Sequence, residues 1–220
     1  MIKTDKGRIL TIVGMLAMTA LVLTRLLLTH QAAEYSLVVG IALFFIVEWV
    51  SKTPEDQSGL RFKTFFADLK KCGPLLWLII PAISSIGSIV LGAVLFGRED
   101  IEHVIGRTDS ILNYENILMM TGQLMIGALG EEIAFRGFFT GKGMKIFGFW
   151  PVSLVSSAVF ALAHLASGRT AVVAYDLAGI FIDAIIYSLI MKKTNNCLIC
   201  TVSHFLVNML GMIVVFAFFR

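Results

Sequence analysis

The sequence predicts an all-α, polytopic membrane protein: a helical bundle of about seven transmembrane helices plus one interfacial amphipathic helix. The first observation is composition. Of the 220 residues, 57% are hydrophobic and 15% are charged, whereas a soluble domain is about 45–50% apolar and about 25% charged. The second is that the apolar residues form runs near the length, about 20 residues, that crosses a bilayer. The third is that successive loops are alternately rich and poor in Lys and Arg.

Seven apolar runs are predicted to cross the membrane, with an interfacial segment between the second and third. The first run follows a basic head and is longer than a signal-peptide core of about 7–15 residues, so we expect it to be retained. The predicted spans are residues 9–28, 35–50, 75–96, 117–139, 150–166, 171–191 and 198–219. Residues 61–71 place four apolar side chains on one helical face, the pattern of an interfacial helix: Phe62, Phe65, Phe66 and Leu69.

The distribution of positive charge predicts the orientation. Twelve Lys and Arg residues fall at the N-terminus and in the loops on its side, and four fall on the opposite side. Because cytoplasmic loops carry the excess of positive charge, we expect the N-terminus in the cytoplasm and the C-terminus outside. The acidic loop 97–116 then faces out. We expect His103 in that loop, and His30 at the outer end of the first span, to be solvated.

The fourth span contains two adjacent acids and an arginine: Glu131, Glu132 and Arg136. Ionisable groups at this depth cost several kcal/mol, so they indicate a functional site. Glu132 and Arg136 are four residues apart with the acid first, the favourable order for a helix ion pair. Glu131 then stays free for general acid or base work. The alternative is that both acids only hold helices together around Arg136.

Two later spans each carry a histidine with a partner one helical turn away. Phe160 and His164 share one helix face, and His204 and Asn208 share another. A single membrane histidine often only hydrogen-bonds to a neighbouring helix. His204 and Asn208, however, carry donors that can point at a developing oxyanion. Three helices that each supply one polar cluster favour a common site over separate helix contacts.

These three clusters resemble the motifs of the CPBP family, also called the Abi family, membrane proteins related to the type II CAAX prenyl endopeptidase. The family's motifs are EExxxR, FxxxH and HxxxN on three successive helices. They correspond here to residues 131–136, 160–164 and 204–208, in that order. The resemblance covers about residues 117–216. It divides the single membrane domain into N-terminal helices with the interfacial helix, 1–116, and a catalytic core, 117–220.

The resemblance implies an intramembrane endopeptidase. Glu131 would activate water beside His164, and His204 and Asn208 would stabilise the oxyanion, with Glu132, Arg136 and Phe160 as supporting residues. Peptide hydrolysis needs such a base, such donors and the exclusion of bulk water. We prefer a metal-free glutamate mechanism without a cofactor. The alternative is zinc held by Glu131, His164 and His204, as in three-ligand catalytic sites.

The implied substrate is a membrane-associated peptide or protein segment, and the implied location is a bacterial plasma membrane. The resemblance does not identify the substrate, its prenylation or the oligomeric state, and it is compatible with bacteriocin immunity, peptide processing or envelope regulation. No basic patch interleaved with aromatic residues indicates nucleic acid. One alternative is a non-catalytic adaptor or bacteriocin-immunity protein that uses the motifs structurally. Another is a transporter with proton-relay acids, although no repeated halves are visible.

Two further expectations concern geometry. The three motifs reach one depth if the fourth helix continues past residue 139 and the last helix begins before residue 198. Asp176 and Asp183 lie seven residues apart on the sixth span, roughly 10 Å, which is too far to share a proton. We expect both to make helix contacts or to line a cavity, with Asp183 a candidate for the substrate path.

Overall fold

The computed structural model describes residues 5–27, 31–108 and 112–218, and these residues form helices and connecting turns without a strand. This confirms the all-α prediction. The helices are α1 (Asp5–Leu27), α2 (Gln31–Val50), α3 (Phe65–Cys72), α4 (Ile80–Phe96), α5 (Arg98–Thr108), α6 (Ile117–Glu131), α7 (Gly141–Phe147), α8 (Phe149–Ala163), α9 (Thr170–Thr194) and α10 (Cys197–Phe218). Two π-helical segments, Leu75–Ile79 and Glu132–Thr140, lead into α4 and join α6 to α7.

Six of the seven predicted spans are long and apolar enough to cross a membrane. The fifth, α8, is apolar but only 15 residues long, about 22 Å at the rise of an α-helix. It is therefore shorter than a hydrocarbon core of about 30 Å. The helix ends at Ala163, with a turn at His164, and not at residue 166 as predicted. The short helix leaves His164 at its end, within the bundle.

The helix that carries the two acids runs without a break from Ile117 to Phe147. All nine residues of its π-helical part, Glu132–Thr140, are buried. A π-helical turn inside an α-helix is rare and often marks a functional site. The helix continues past residue 139, and α10 begins at Cys197, so both expectations about helix length are confirmed.

The first two helices pack directly against this π-helical segment. A Cβ atom on Gly40 would lie 2.6 Å from the Ala134 Cβ, and one on Gly14 would lie 2.6 Å from the Phe138 ring. Only glycine permits backbones to approach so closely without a shift of the neighbouring side chains. The N-terminal half, which offers no motif, therefore supports the helix that bears the acids.

The interfacial helix is shorter than the sequence suggests, and its apolar face is divided. Phe62 and Phe66 point outward, 72% and 76% exposed, whereas Phe65 and Leu69 pack against the core. Phe62 precedes α3, which begins only at Phe65, and Phe66 lies about 100° around the helix from Phe65. Asp68 anchors the helix. Burial opposes ionisation of its carboxyl group, but hydrogen bonds from Arg61, Thr64 and Asn196 hold its pKa below the usual value.

The outer loop departs most from expectation, because residues 98–108 form a helix that packs against α4 and α9. The prediction that His103 is solvated was wrong. It is only 9% exposed, and its Nε2 lies 3.4 Å from Asp176 Oδ2. Four residues of this helix are buried, and the acidic composition of the loop did not indicate this: Asp100, Ile101, His103 and Val104. His30 lies outside the described residues.

Candidate active site

The four residues predicted to be catalytic line one cavity of about 240 Å³ inside the bundle. Its walls come from α4, α5, α6, α9 and α10, together with the end of α8. Glu131, His164, His204 and Asn208 all face it, as does the supporting Phe160. Glu132 and Arg136 lie behind the wall, essentially inaccessible to solvent. Residues up to 77 positions apart in sequence therefore share one cavity.

His204 lies between the two adjacent acids. Its Nδ1 is 2.9 Å from Glu132 Oε1, and its Nε2 is 3.9 Å from Glu131 Oε2. Because a carboxylate accepts, we assign the hydrogen to Nδ1, which donates to Glu132. The imidazole also stacks on the ring of Tyr187, with centroids 5.0 Å apart and planes inclined by 23°. These contacts fix the ring so that Nε2 points towards Glu131.

Glu132 makes the predicted contact with Arg136 as well. Its Oε1 is 3.2 Å from Arg136 Nη1, four residues along the same helix. The guanidinium lies over the Phe160 ring at 4.2 Å, an arrangement that stabilises a cation. Phe160 therefore contacts Arg136 behind the cavity wall and also lines the cavity. The contact from His204 to Glu132 was missed in the sequence because it depends on how two distant helices are rotated.

His164 is held by the end of its own helix. Its Nδ1 is 2.8 Å from the Phe160 carbonyl oxygen, which only accepts, so Nδ1 carries the hydrogen. In the neutral imidazole, Nε2 is then the nitrogen with a free lone pair. Arg25 of α1 donates to the neighbouring Ala163 carbonyl. That contact was also missed, although a lone arginine in a predicted span was a visible signal.

Several acidic and basic residues outside the three motifs also line the cavity, and they include Asp176 and Asp183, for which cavity lining was one of the expectations. Asp176 Oδ2 lies 3.2 Å from Arg107 Nη1, in addition to its contact with His103. Asp100 of α5 is buried beside them. Burial and the negative charge of Asp176 raise the pKa of Asp100, and the positive charges of His103 and Arg107 oppose that shift. Asp183 lies deeper, on the same face of α9.

The fit of this site to a metal ion is poor. Within residues 5–27, 31–108 and 112–218, no three His, Cys, Asp or Glu side chains form a group that could hold one. Glu131, His164 and His204 line one cavity but do not converge as a ligand set in this geometry. We therefore assign no chemical step to a metal.

A carboxylate, two imidazoles and an amide surround one cavity of a bundle whose helices include six candidate membrane spans among the described residues. Residues 113–210, slightly less than half of the chain, match the family model described as Rce1-like, type II CAAX prenyl endopeptidase Rce1-like. This match supports the resemblance of that segment to the CPBP family of intramembrane CAAX-type proteases. Comparison with curated proteins and with solved structures gave no match.

Proposed function

We propose that this protein is an endopeptidase that hydrolyses peptide bonds of a membrane-associated peptide or protein, with Glu131 as the base. One observation carries the proposal: Glu131, His164, His204 and Asn208 face the same cavity within the membrane-spanning helices. Hydrolysis requires a base for water, donors for the oxyanion and the exclusion of bulk solvent. These four side chains and their apolar surroundings supply each requirement.

Glu131 is the group best placed to activate water. Of the two acids, only Glu131 faces the cavity, because Glu132 is tied to Arg136 and His204. In the proposed first step, the water oxygen bonds to the substrate carbonyl carbon while one water proton passes to the Glu131 carboxylate. The lone pair on His164 Nε2 orients the water by accepting its second hydrogen bond.

His204 and Asn208 are the proposed donors to the tetrahedral oxyanion. With Nδ1 bound to Glu132, the protonated His204 ring presents its Nε2–H on the side of the cavity. The negative charges of the buried Glu132 and of Glu131 stabilise that imidazolium. Loss of one such donor typically lowers the rate by about 10²–10³-fold. The proton held by Glu131 then passes to the leaving nitrogen as the C–N bond breaks, which releases two peptides and restores the carboxylate.

The proposed location is the plasma membrane with the N-terminus in the cytoplasm, on the charge distribution of the loops. The cavity extends from Glu131 to α5 and Leu112, at the bundle end opposite the lysine-rich loops. In this orientation a substrate reaches Glu131 from the outer side of the membrane.

The test compares peptides released from membranes that contain wild-type protein or Glu131→Gln at matched levels. Glu55→Gln is the control, because Glu55 forms only an exposed pair with Lys63. We expect a set of peptides that the wild type and the control release and Glu131→Gln does not. Identical peptide sets, with every cellular effect of the protein preserved in Glu131→Gln, would favour the non-catalytic adaptor.

A further inference from the structure

Helix α9 turns two carboxylates towards the cavity, and only one of them has a cationic partner. Asp176 lies within 3.4 Å of both His103 and Arg107. Asp183, two turns deeper, forms no ion pair with any residue that the structure describes. Its partner in the fold is the Ser84 hydroxyl of α4, which donates to the carboxylate. The other oxygen, Oδ1, is buried without a hydrogen bond.

This arrangement is costly for the folded protein. A carboxylate inside a membrane span costs several kcal/mol, and one hydroxyl donor satisfies only part of its capacity for hydrogen bonds. An apolar side chain of similar size would avoid this cost. Helix packing in the free protein therefore does not explain a carboxylate at position 183. Asp183 faces the same cavity as Glu131.

A peptide substrate offers the hydrogen-bond donor that Asp183 Oδ1 lacks. Inside a bilayer, each backbone N–H and C=O of a bound peptide needs a partner, because water is scarce. In their proposed role, His204 and Asn208 donate to the carbonyl oxygen that becomes the oxyanion. The backbone N–H groups of the peptide need a separate acceptor. The terminal torsion of an aspartate is soft, so a donor in the cavity can approach either carboxylate oxygen.

We propose that Asp183 is a substrate-binding residue that accepts a backbone N–H of the peptide near the bond to be cleaved. The inference rests on the proposed endopeptidase function and deepens it, because it fixes the register of an extended peptide across the cavity. A hydrogen bond to an ionised acceptor is roughly twice as strong as a neutral one. The unpaired carboxylate thus favours the bound state over the free state.

The first experiment measures stability and cleavage in Asp183→Asn and Asp183→Leu. The probe is a quenched fluorescent peptide that spans a cleavage junction found among the released peptides. We expect thermal stability without substrate to stay equal or to rise, because an unpaired buried charge is removed. We expect catalytic efficiency to fall in the order wild type, Asn, Leu, by about 10- to 100-fold for Leu, mainly through KM. Asp56→Asn, at an exposed position, is the matched control.

The second experiment identifies the donor with probe peptides methylated at one backbone nitrogen at a time. Wild type should cleave one of these peptides much more slowly, at the amide that Asp183 binds. Asp183→Leu should lose that selectivity, because two changes that break one contact are not additive. The same methylation profile in both proteins would overturn the inference.

The remaining outcomes separate this inference from the function on which it rests. Full cleavage by both Asp183 variants, with Glu131→Gln inactive, overturns the inference alone. Lower stability in Asp183→Asn shows that the carboxylate serves the fold, and this also overturns it. Equal cleavage by wild type and Glu131→Gln overturns the proposed function, and the role of Asp183 with it.

Discussion

Replacement of Glu132 by glutamine separates the structural and functional roles of the second acid. Glu132 is fully buried and faces Arg136 Nη1 at 3.2 Å and His204 Nδ1 at 2.9 Å. The amide oxygen of glutamine can still accept from His204, but the negative charge is lost. An uncompensated Arg136 guanidinium, 1% exposed, then remains in the core.

The expected magnitude follows from that burial. Removing one member of a buried ion pair costs about 3–5 kcal/mol, whereas replacing both members by neutral residues is often neutral or stabilising. Glu132→Gln should therefore reduce the free energy of unfolding by about 3–5 kcal/mol. The double variant Glu132→Gln/Arg136→Met should recover most of that loss.

Activity should not recover with stability. In the double variant His204 still lacks an anionic partner at Nδ1, so its imidazolium form is less favoured and oxyanion stabilisation is weaker. The assay pairs thermal unfolding in detergent with cleavage of the fluorescent peptide. Wild-type stability in Glu132→Gln together with complete loss of its cleavage, and retained cleavage by Glu131→Gln, would exchange the roles of the two acids.

Three further predictions test other parts of the site and its support. Tyr187→Phe should keep cleavage within a few-fold of wild type because the stacked ring is retained, whereas Tyr187→Leu should lower kcat at unchanged yield; equal rates would remove the stacking role. Since the pKa of Asp68 is lowered in the folded protein, its stabilising effect is present above the unfolded pKa of about 3.9 and is lost as pH falls through the lower folded value. Acid titration of unfolding should therefore show a smaller loss below about pH 4 in Asp68→Asn. Zinc analysis of purified protein should find less than one ion per chain; one tightly held zinc would favour the three-ligand alternative and refute the metal-free proposal.

The features that could be predicted from the sequence are those that depend on neighbouring residues. Apolar runs predicted the spans, and the four-residue spacing of Glu132 and Arg136 predicted their pair. The contact between His204 and Glu132 joins residues 72 positions apart, and it depends on the rotation of two helices. The burial of His103 was missed for a related reason. Helix α5 is too polar to read as a membrane element, and only its packing against α4 and α9 makes one of its faces internal.

The π-helical segment Glu132–Thr140 has a consequence for how this chain tolerates changes in length. A π-helical turn bonds residue i to i+5 and holds one residue more than an α-helical turn. Removal of one residue here would therefore allow an ordinary α-helix with about the same number of turns. The rotation of α7 relative to Glu131 would change by less than the angle of one α-helical residue, about 100°, and Lys142 would stay near Glu48. This segment thus lets the helix hold an additional residue while the acids and the opposite end of their helix keep approximately their relative rotation.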